Sequence, residues 1–111
     1  MEDCVFCKIV KGELPSEKVL ENHDFIVIKP LDPLVMGHSL VIPREHYKTF
    51  SDMPADLYDG LLKTAKEAID KLDTKNYNLV INSGKDSGQE IPHVHLHILP
   101  RKKNDDFKLR V

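Results

Sequence analysis

Histidine occupies every second position in the stretch His93-Val94-His95-Leu96-His97-Ile98-Leu99-Pro100. In an extended strand, successive side chains point to opposite faces. The spacing therefore puts His93, His95 and His97 on one face, about 6–7 Å apart along the strand. Val94, Leu96 and Ile98 share the other face and can enter a core. Two chemistries suit several imidazoles on one face. The first is metal binding, in which His-x-His on a strand supplies two ligands. The second is nucleophilic and acid–base catalysis, because imidazole is neutral enough near pH 7 to attack phosphorus and basic enough to carry a proton. Neighbouring histidines discourage each other's protonation, which keeps one of them nucleophilic. Their titrations are coupled, so no single value belongs to one ring.

The residues upstream favour phosphate chemistry. Asn82-Ser83-Gly84-Lys85-Asp86-Ser87-Gly88 contains no apolar side chain. Such a loop can aim backbone N–H groups at an anion, with Lys85 adding charge and Gln89 a polar side chain. Alone, it reads more readily as a solvated hairpin turn than as an anion site; beside three aligned histidines the preference reverses. A second cluster opens the chain. Cys4 and Cys7 are too close in sequence to staple a fold, and in a reducing compartment such a pair is a metal or redox site. Two thiolates make only half a tetrahedral zinc site. The bland alternative is a pair of reduced cysteines on a short helix. A thioredoxin-like pair is disfavoured, since no strand precedes Cys4.

The elements that must position these groups follow from apolar spacing. Val5, Phe6, Ile9 and Val10 suit a short helix over Cys4–Lys11, stopped by Gly12. Lys18–Glu21 and Phe25–Lys29 read as strands joined through an Asn22-His23-Asp24 turn, where His23 is solvated. Pro30, Pro33 and Gly37 break a loop that contains Asp32. Ser39–Ile42 is a strand closed by Pro43. Ser51–Asp73 turns helical, with Leu57, Leu61, Leu62, Ala65, Ile69 and Leu72 as one apolar stripe and Pro54 in the first turn. Tyr77–Ile81 is a strand that pairs with the histidine strand. No βαβαβ series is present. The expected fold is α+β: a mostly antiparallel sheet with one long and one short helix covering one face.

The 111 residues suit a single domain, 1–111. A net charge of −2 gives no support to a nucleic-acid groove. The opening residues lack a basic stretch followed by an apolar run, so the expectation is no signal peptide, no membrane span and a cytoplasmic protein.

Gly88-Gln89-x-x-x-His93-Val94-His95-Leu96-His97-Ile98-Leu99-Pro100 resembles the signature of the histidine triad (HIT) family. Gly37-His38-Ser39-Leu40-Val41-Ile42-Pro43-Arg44-Glu45-His46 resembles that family's other characteristic segment. The opening Cys4-x-x-Cys7-Lys8-Ile9, followed by Gly12-Glu13-x-Pro15, is similar to short microbial members. The resemblance runs from about residue 4 to residue 101. It implies an α+β homodimer, paired through the long helix and an adjacent strand. It also implies an enzyme that hydrolyses or transfers nucleotides at the α-phosphate of a purine nucleoside monophosphate derivative. By this resemblance His95 is the nucleophile and His97 contacts the phosphate. His93 orients His95, and His38 extends the relay. Asn82, Gly88 and Gln89 contact the phosphate and leaving group. Phe6, Ile9, Phe25 and Ile28 line a base pocket, or are plain core. Zinc on Cys4 and Cys7 is completed by His46 and His93, so His93 carries two competing roles; His46 reads otherwise as a surface histidine.

Departures from the family pattern matter. Pro30 stands where many members carry an acid or amide that binds the ribose, with Asp32 nearby as a substitute. Glu90 stands where phosphoramidase-like members carry Ser. The run Leu99-Pro100-Arg101-Lys102, leading to Phe107, is similar to the Fhit-like branch that cleaves diadenosine polyphosphates. Arg101, Lys102 and Lys103 could reach distal phosphates, or form a solvated tail. The alternatives to an enzyme are a nucleotide-binding regulatory protein with little turnover and a purely zinc-binding protein.

Overall fold

A computed structural model of the chain describes residues 3–109. The order is α1 (Val5–Val10), β1 (Glu17–Glu21), β2 (Phe25–Lys29), β3 (Ser39–Pro43), α2 (Tyr58–Leu72), β4 (Tyr77–Ile81) and β5 (Leu96–Pro100). The strands form one antiparallel sheet in the order β1-β2-β3-β5-β4. The α+β expectation holds, with one long and one short helix.

The helices do not share a face. Phe25, Val27, Val41, Leu96 and Ile98 pack with Leu61, Ala65, Ala68 and Ile69 of α2. The alternate residues Ile26, Ile28, Leu40 and Ile42 pack with Phe6 and Ile9 of α1. The expectation of helices on one side fails for a reason visible in β2 and β3. Both are unbroken apolar runs, the pattern of strands buried on both faces. At Gly60 in α2, a Cβ would come within 3.0 Å of the Phe25 ring, so a residue without one lets helix and sheet close up.

Two segments differ from the sequence expectation. The helical stretch from Ser51 breaks into 3-10 turns at Phe50–Asp52 and Ala55–Leu57 before α2 begins at Tyr58. Asp52 Oδ2 accepts from Thr49 N–H and Oγ1–H and closes the first of these. The buried stripe of α2 includes Thr64 and Ala68, whereas Leu62 is 57% exposed. Thr64 is tolerated inside because Asn22 Nδ2 donates to its hydroxyl at 2.9 Å.

The histidine stretch is only half a ladder strand. Regular pairing runs from Leu96 to Pro100, with His97 opposite Leu40 on one side and Val80 on the other. β3 runs out at Pro43, which has no N–H to offer. Val94 N–H instead donates to the Tyr47 carbonyl at 2.8 Å. His93 and His95 thus hang between sheet and loop, on the side that α1 covers. Among the described residues no helix is long and apolar enough to cross a membrane.

Candidate active site and metal centre

His93, 0% exposed, faces the cysteines. Its Nδ1 lies 3.2 Å from Cys4 Sγ and 3.6 Å from Cys7 Sγ, and Cys7 Sγ lies 3.2 Å from His46 Nδ1. One ligand atom from each of these four residues lies within 4.8 Å of every other. Zinc bonded tetrahedrally to two sulfurs and two nitrogens separates its ligand atoms by about 3.3–3.8 Å, so the group fits such an ion with little movement. The other nitrogen supports the same reading: His93 Nε2–H donates to the Pro43 carbonyl at 2.8 Å, which leaves Nδ1 bare for a ligand bond. Burial holds His93 down to about 4, in its neutral, ligating form. Burial and the neighbouring Cys4 thiol push the Cys7 thiol up, so that sulfur favours its proton unless a cation takes its place.

His93 therefore has no ring contact left for a relay. Its backbone does the orienting. His95 Nδ1–H donates to the His93 carbonyl at 2.7 Å, which fixes the tautomer and leaves Nε2 with a free lone pair. The Phe6 ring packs edge-on against His95, with ring centroids 5.1 Å apart, and holds the imidazole from the α1 side.

His38 joins His97, not His93. Leu34 N–H donates to His38 Nδ1 at 3.1 Å, so the proton of the neutral ring sits on Nε2. That nitrogen is 2.9 Å from His97 Nδ1, which must accept. His97 then carries its own proton on Nε2. The chain of hydrogen bonds delivers one bare nitrogen, on His95, and one N–H, on His97, with rings 4.9 Å apart. Burial lowers the pKa of His38, His95 and His97, the last to about 4 with further lowering from His95 and His38. At His95, the His93 carbonyl and the Glu90 carboxylate offset part of the burial effect.

These groups line a cavity of about 350 Å³ with Phe6, Pro30, Asp32, Leu34, Leu40, Asn82, Gly88, Glu90 and Ile91. The structure brings His38, His95, His97, Asn82, Gly88, Asp32 and Phe6 together there. Ile28 and Gln89 lie outside it. Ile28 is 3% exposed, in the core behind the cavity. Gln89 is occupied: its Nε2 donates to the Lys48 and Ile91 carbonyls, and its Oε1 accepts from Gly84 N–H. Its role is to shape the loop. Leu34 and Pro43 were not legible as site residues, because each acts through its backbone. Glu90 was legible only through the family resemblance, as a carboxylate where phosphoramidase-like members carry Ser. Arg101 is held away in a bidentate pair with Asp105, stacked on Phe107.

Residues 11–104 match the model of the HIT domain family. The chain belongs to the HIT domain family. It is 37% identical over 107 residues to an adenylylsulfatase of Arabidopsis thaliana, covering 93% of this chain and 54% of that protein. It is 35% identical over 108 residues to an adenosine 5'-monophosphoramidase of Schizosaccharomyces pombe, covering 97% of this chain and 80% of the relative. A zinc-bound histidine triad family protein from Mycobacterium smegmatis superposes with a TM-score of 0.87 at 33% identity, covering 98% of this chain and 82% of that one. Membership of HIT relatives with such names supports a nucleotide hydrolase.

Proposed function

We propose that this HIT protein hydrolyses purine nucleoside monophosphate derivatives at the α-phosphate, with His95 as the nucleophile. The observation that carries the reading is the pair of opposite hydrogen-bonding states in one cavity: bare His95 Nε2 beside protonated His97 Nε2. The His95 lone pair bonds to the α-phosphorus. The bond from phosphorus to the leaving group breaks, and its electron pair departs with that group. The imidazole is then a nucleotidyl-imidazolium whose charge rests against the His93 carbonyl. His97 Nε2–H donates a hydrogen bond to the phosphate oxygens as their charge shifts. Water then attacks phosphorus, the N–P bond breaks, and the pair returns to Nε2. Water has supplied hydroxyl to the nucleotide and a proton to the leaving group.

The curated relatives named above act on an adenylyl sulfate and on an AMP amidate, which supports an adenylyl group here. Asp32, on the cavity wall beside Pro30, is the acceptor for the ribose hydroxyls. Structural zinc on Cys4, Cys7, His46 and His93, with every position filled by protein, would tie α1 to the segment after β3 and fix the His93 carbonyl that orients His95.

What the single chain leaves uncovered supports a homodimer. Tyr58 and Leu62, one turn apart on α2, and Tyr77 and Leu79, on one face of edge strand β4, are 38–57% exposed. An edge strand carrying exposed apolar residues, and a helix carrying others, leave surface that a second copy could cover.

Turnover of adenosine 5'-phosphoramidate, diadenosine tetraphosphate and adenylyl sulfate tests the function. Release of AMP from at least one of them is expected; tight nucleotide binding with no release from any would favour the binding-protein alternative.

A further inference from the structure

The cysteine helix α1 borders two cavities. On one side Phe6 lines the catalytic cavity of about 350 Å³. Its ring packs edge-on against His93, at 5.7 Å between centroids, and against His95, at 5.1 Å. On the other side Cys7 lines a separate cavity of about 330 Å³ with Lys11, Arg44 and His46. The two cavities share no residue, and Cys4 lines neither. Cys7 is therefore the sulfur that a small solute meets first, and Cys4 lies behind it. The two sulfurs are free and lie within 4.8 Å of each other, and Cys7 N–H donates to Cys4 Sγ at 3.3 Å. Two residues separate them, so side-chain rotation closes the gap to a disulfide length of about 2.05 Å. The same sulfurs hold α1 to two other segments. Cys4 Sγ meets His93 Nδ1 and Cys7 Sγ meets His46 Nδ1, each at 3.2 Å. Tyr47, next to His46, accepts from Val94 N–H. An ion held by these four side chains would thus fix α1, the segment after β3 and the His93 carbonyl to one another.

We propose that Cys4 and Cys7 are a site of reversible oxidation by hydrogen peroxide, which releases the zinc and, through Phe6 and the His93 carbonyl, slows the chemistry at His95. The effect on turnover rests on the hydrolase reading; the oxidation site does not. The Cys7 thiolate bonds to one peroxide oxygen, the O–O bond breaks, and hydroxide leaves with its electron pair. The Cys4 thiolate then bonds to Cys7 Sγ, and the S–O pair leaves as a second hydroxide. Two thiolates and one peroxide give one disulfide and two hydroxides; the sulfurs lose two electrons and the peroxide oxygens gain them. A disulfide sulfur has no negative charge with which to hold zinc, so only His46 and His93 are left as ligands and the ion passes to water. With α1 untied, Phe6 no longer braces the His95 ring and the His93 carbonyl no longer fixes its tautomer.

The test titrates the zinc-loaded protein with hydrogen peroxide. One zinc per chain should reach a metallochromic dye, while the peptide holding Cys4 and Cys7 becomes lighter by two hydrogens. Turnover of adenosine 5'-phosphoramidate should fall by about ten- to a hundredfold, the size of misplacing a reacting group by about an ångström, and return with dithiothreitol and zinc. Nitrogen NMR of the histidines should show His95 losing its fixed Nδ1–H tautomer on oxidation and regaining it on reduction. A chain that takes up no zinc, zinc retained in excess peroxide, or zinc released with both sulfurs oxidised separately and no disulfide overturns the oxidation site. A disulfide that leaves the His95 signal unchanged overturns the coupling. In Cys4→Ser no disulfide can close and Cys7 should instead gain oxygen; a Cys7 that gains none overturns its place as the first sulfur attacked. Failure of the reduced, zinc-loaded protein to turn over nucleotide would overturn the hydrolase reading, while zinc release, peptide mass and the His95 signal still decide the switch.

Discussion

Each cavity histidine owes its state to one hydrogen bond on the ring nitrogen to which the proposed mechanism gives no chemistry. His95 is held by a carbonyl and so presents a lone pair; His38 accepts from Leu34 N–H and so hands a proton toward His97. His38→Ala removes the donor that fixes His97 without touching His95. It should lower kcat by about ten- to a hundredfold with a smaller change in KM, measured by steady-state kinetics. The same burial sets a pH dependence. His97 titrates near 4 in the folded chain, against 6.5 for an ordinary histidine. Between those values the unfolded chain binds the extra proton and the folded chain does not. The contribution of His97 to stability is therefore complete above about pH 6.5 and is lost as pH falls toward 4. Urea midpoints should be flat from pH 7 upward and decline below 6.5, and the decline should shrink in His97→Asn. The residue types at the site were readable from alternation and spacing. The division of labour was not, because the partners that decide it are backbone groups of Leu34, Pro43 and His93, and no side-chain pattern records a backbone donor.

At the scale of elements, the turn before β3 and the cysteine helix position the site. Gly37 has φ +85°, and a Cβ there would lie 3.1 Å from Pro100 Cγ. Gly12 has φ +79° with open space around it. Both Gly→Ala changes incur the left-handed penalty of about 1–2 kcal/mol, but Gly37→Ala alone should shift His38. Turnover should drop in Gly37→Ala and stay level in Gly12→Ala, while both lose similar stability in thermal melts. For the metal centre, a site held a hundredfold above its Kd contributes about 2.7 kcal/mol. At about 4 °C per kcal/mol for a domain of this size, chelation should lower the thermal midpoint by about 10 °C, with Cys4→Ser equally low and insensitive to chelator. Much of this layer was legible: β2 and β4 fall on the β-rich runs that the sequence marked. The start of α2 was not, because Pro54 and Asp52 serve 3-10 turns that mimic helix periodicity. The sides taken by the helices were misread because one-faced coverage was assumed for strands whose Ile26-Val27-Ile28 and Leu40-Val41-Ile42 runs need cover on both.

For the whole molecule, the uncovered apolar surface is the remaining expectation. Light scattering should give twice the chain mass, and Leu62→Glu with Leu79→Lys should give the chain mass, with the cavity residues untouched. The hydrolase reading itself is tested most directly by trapping the covalent state. A rapid quench in base during turnover of an adenylyl substrate, followed by peptide mass analysis, should find one adenylyl group on the peptide containing His95. That adduct should be acid-labile, and it should be missing from His95→Asn, whose turnover should fall at least about a thousandfold with nucleotide binding kept. An adduct on another residue, or full turnover by His95→Asn, would contradict the assignment of His95 as nucleophile.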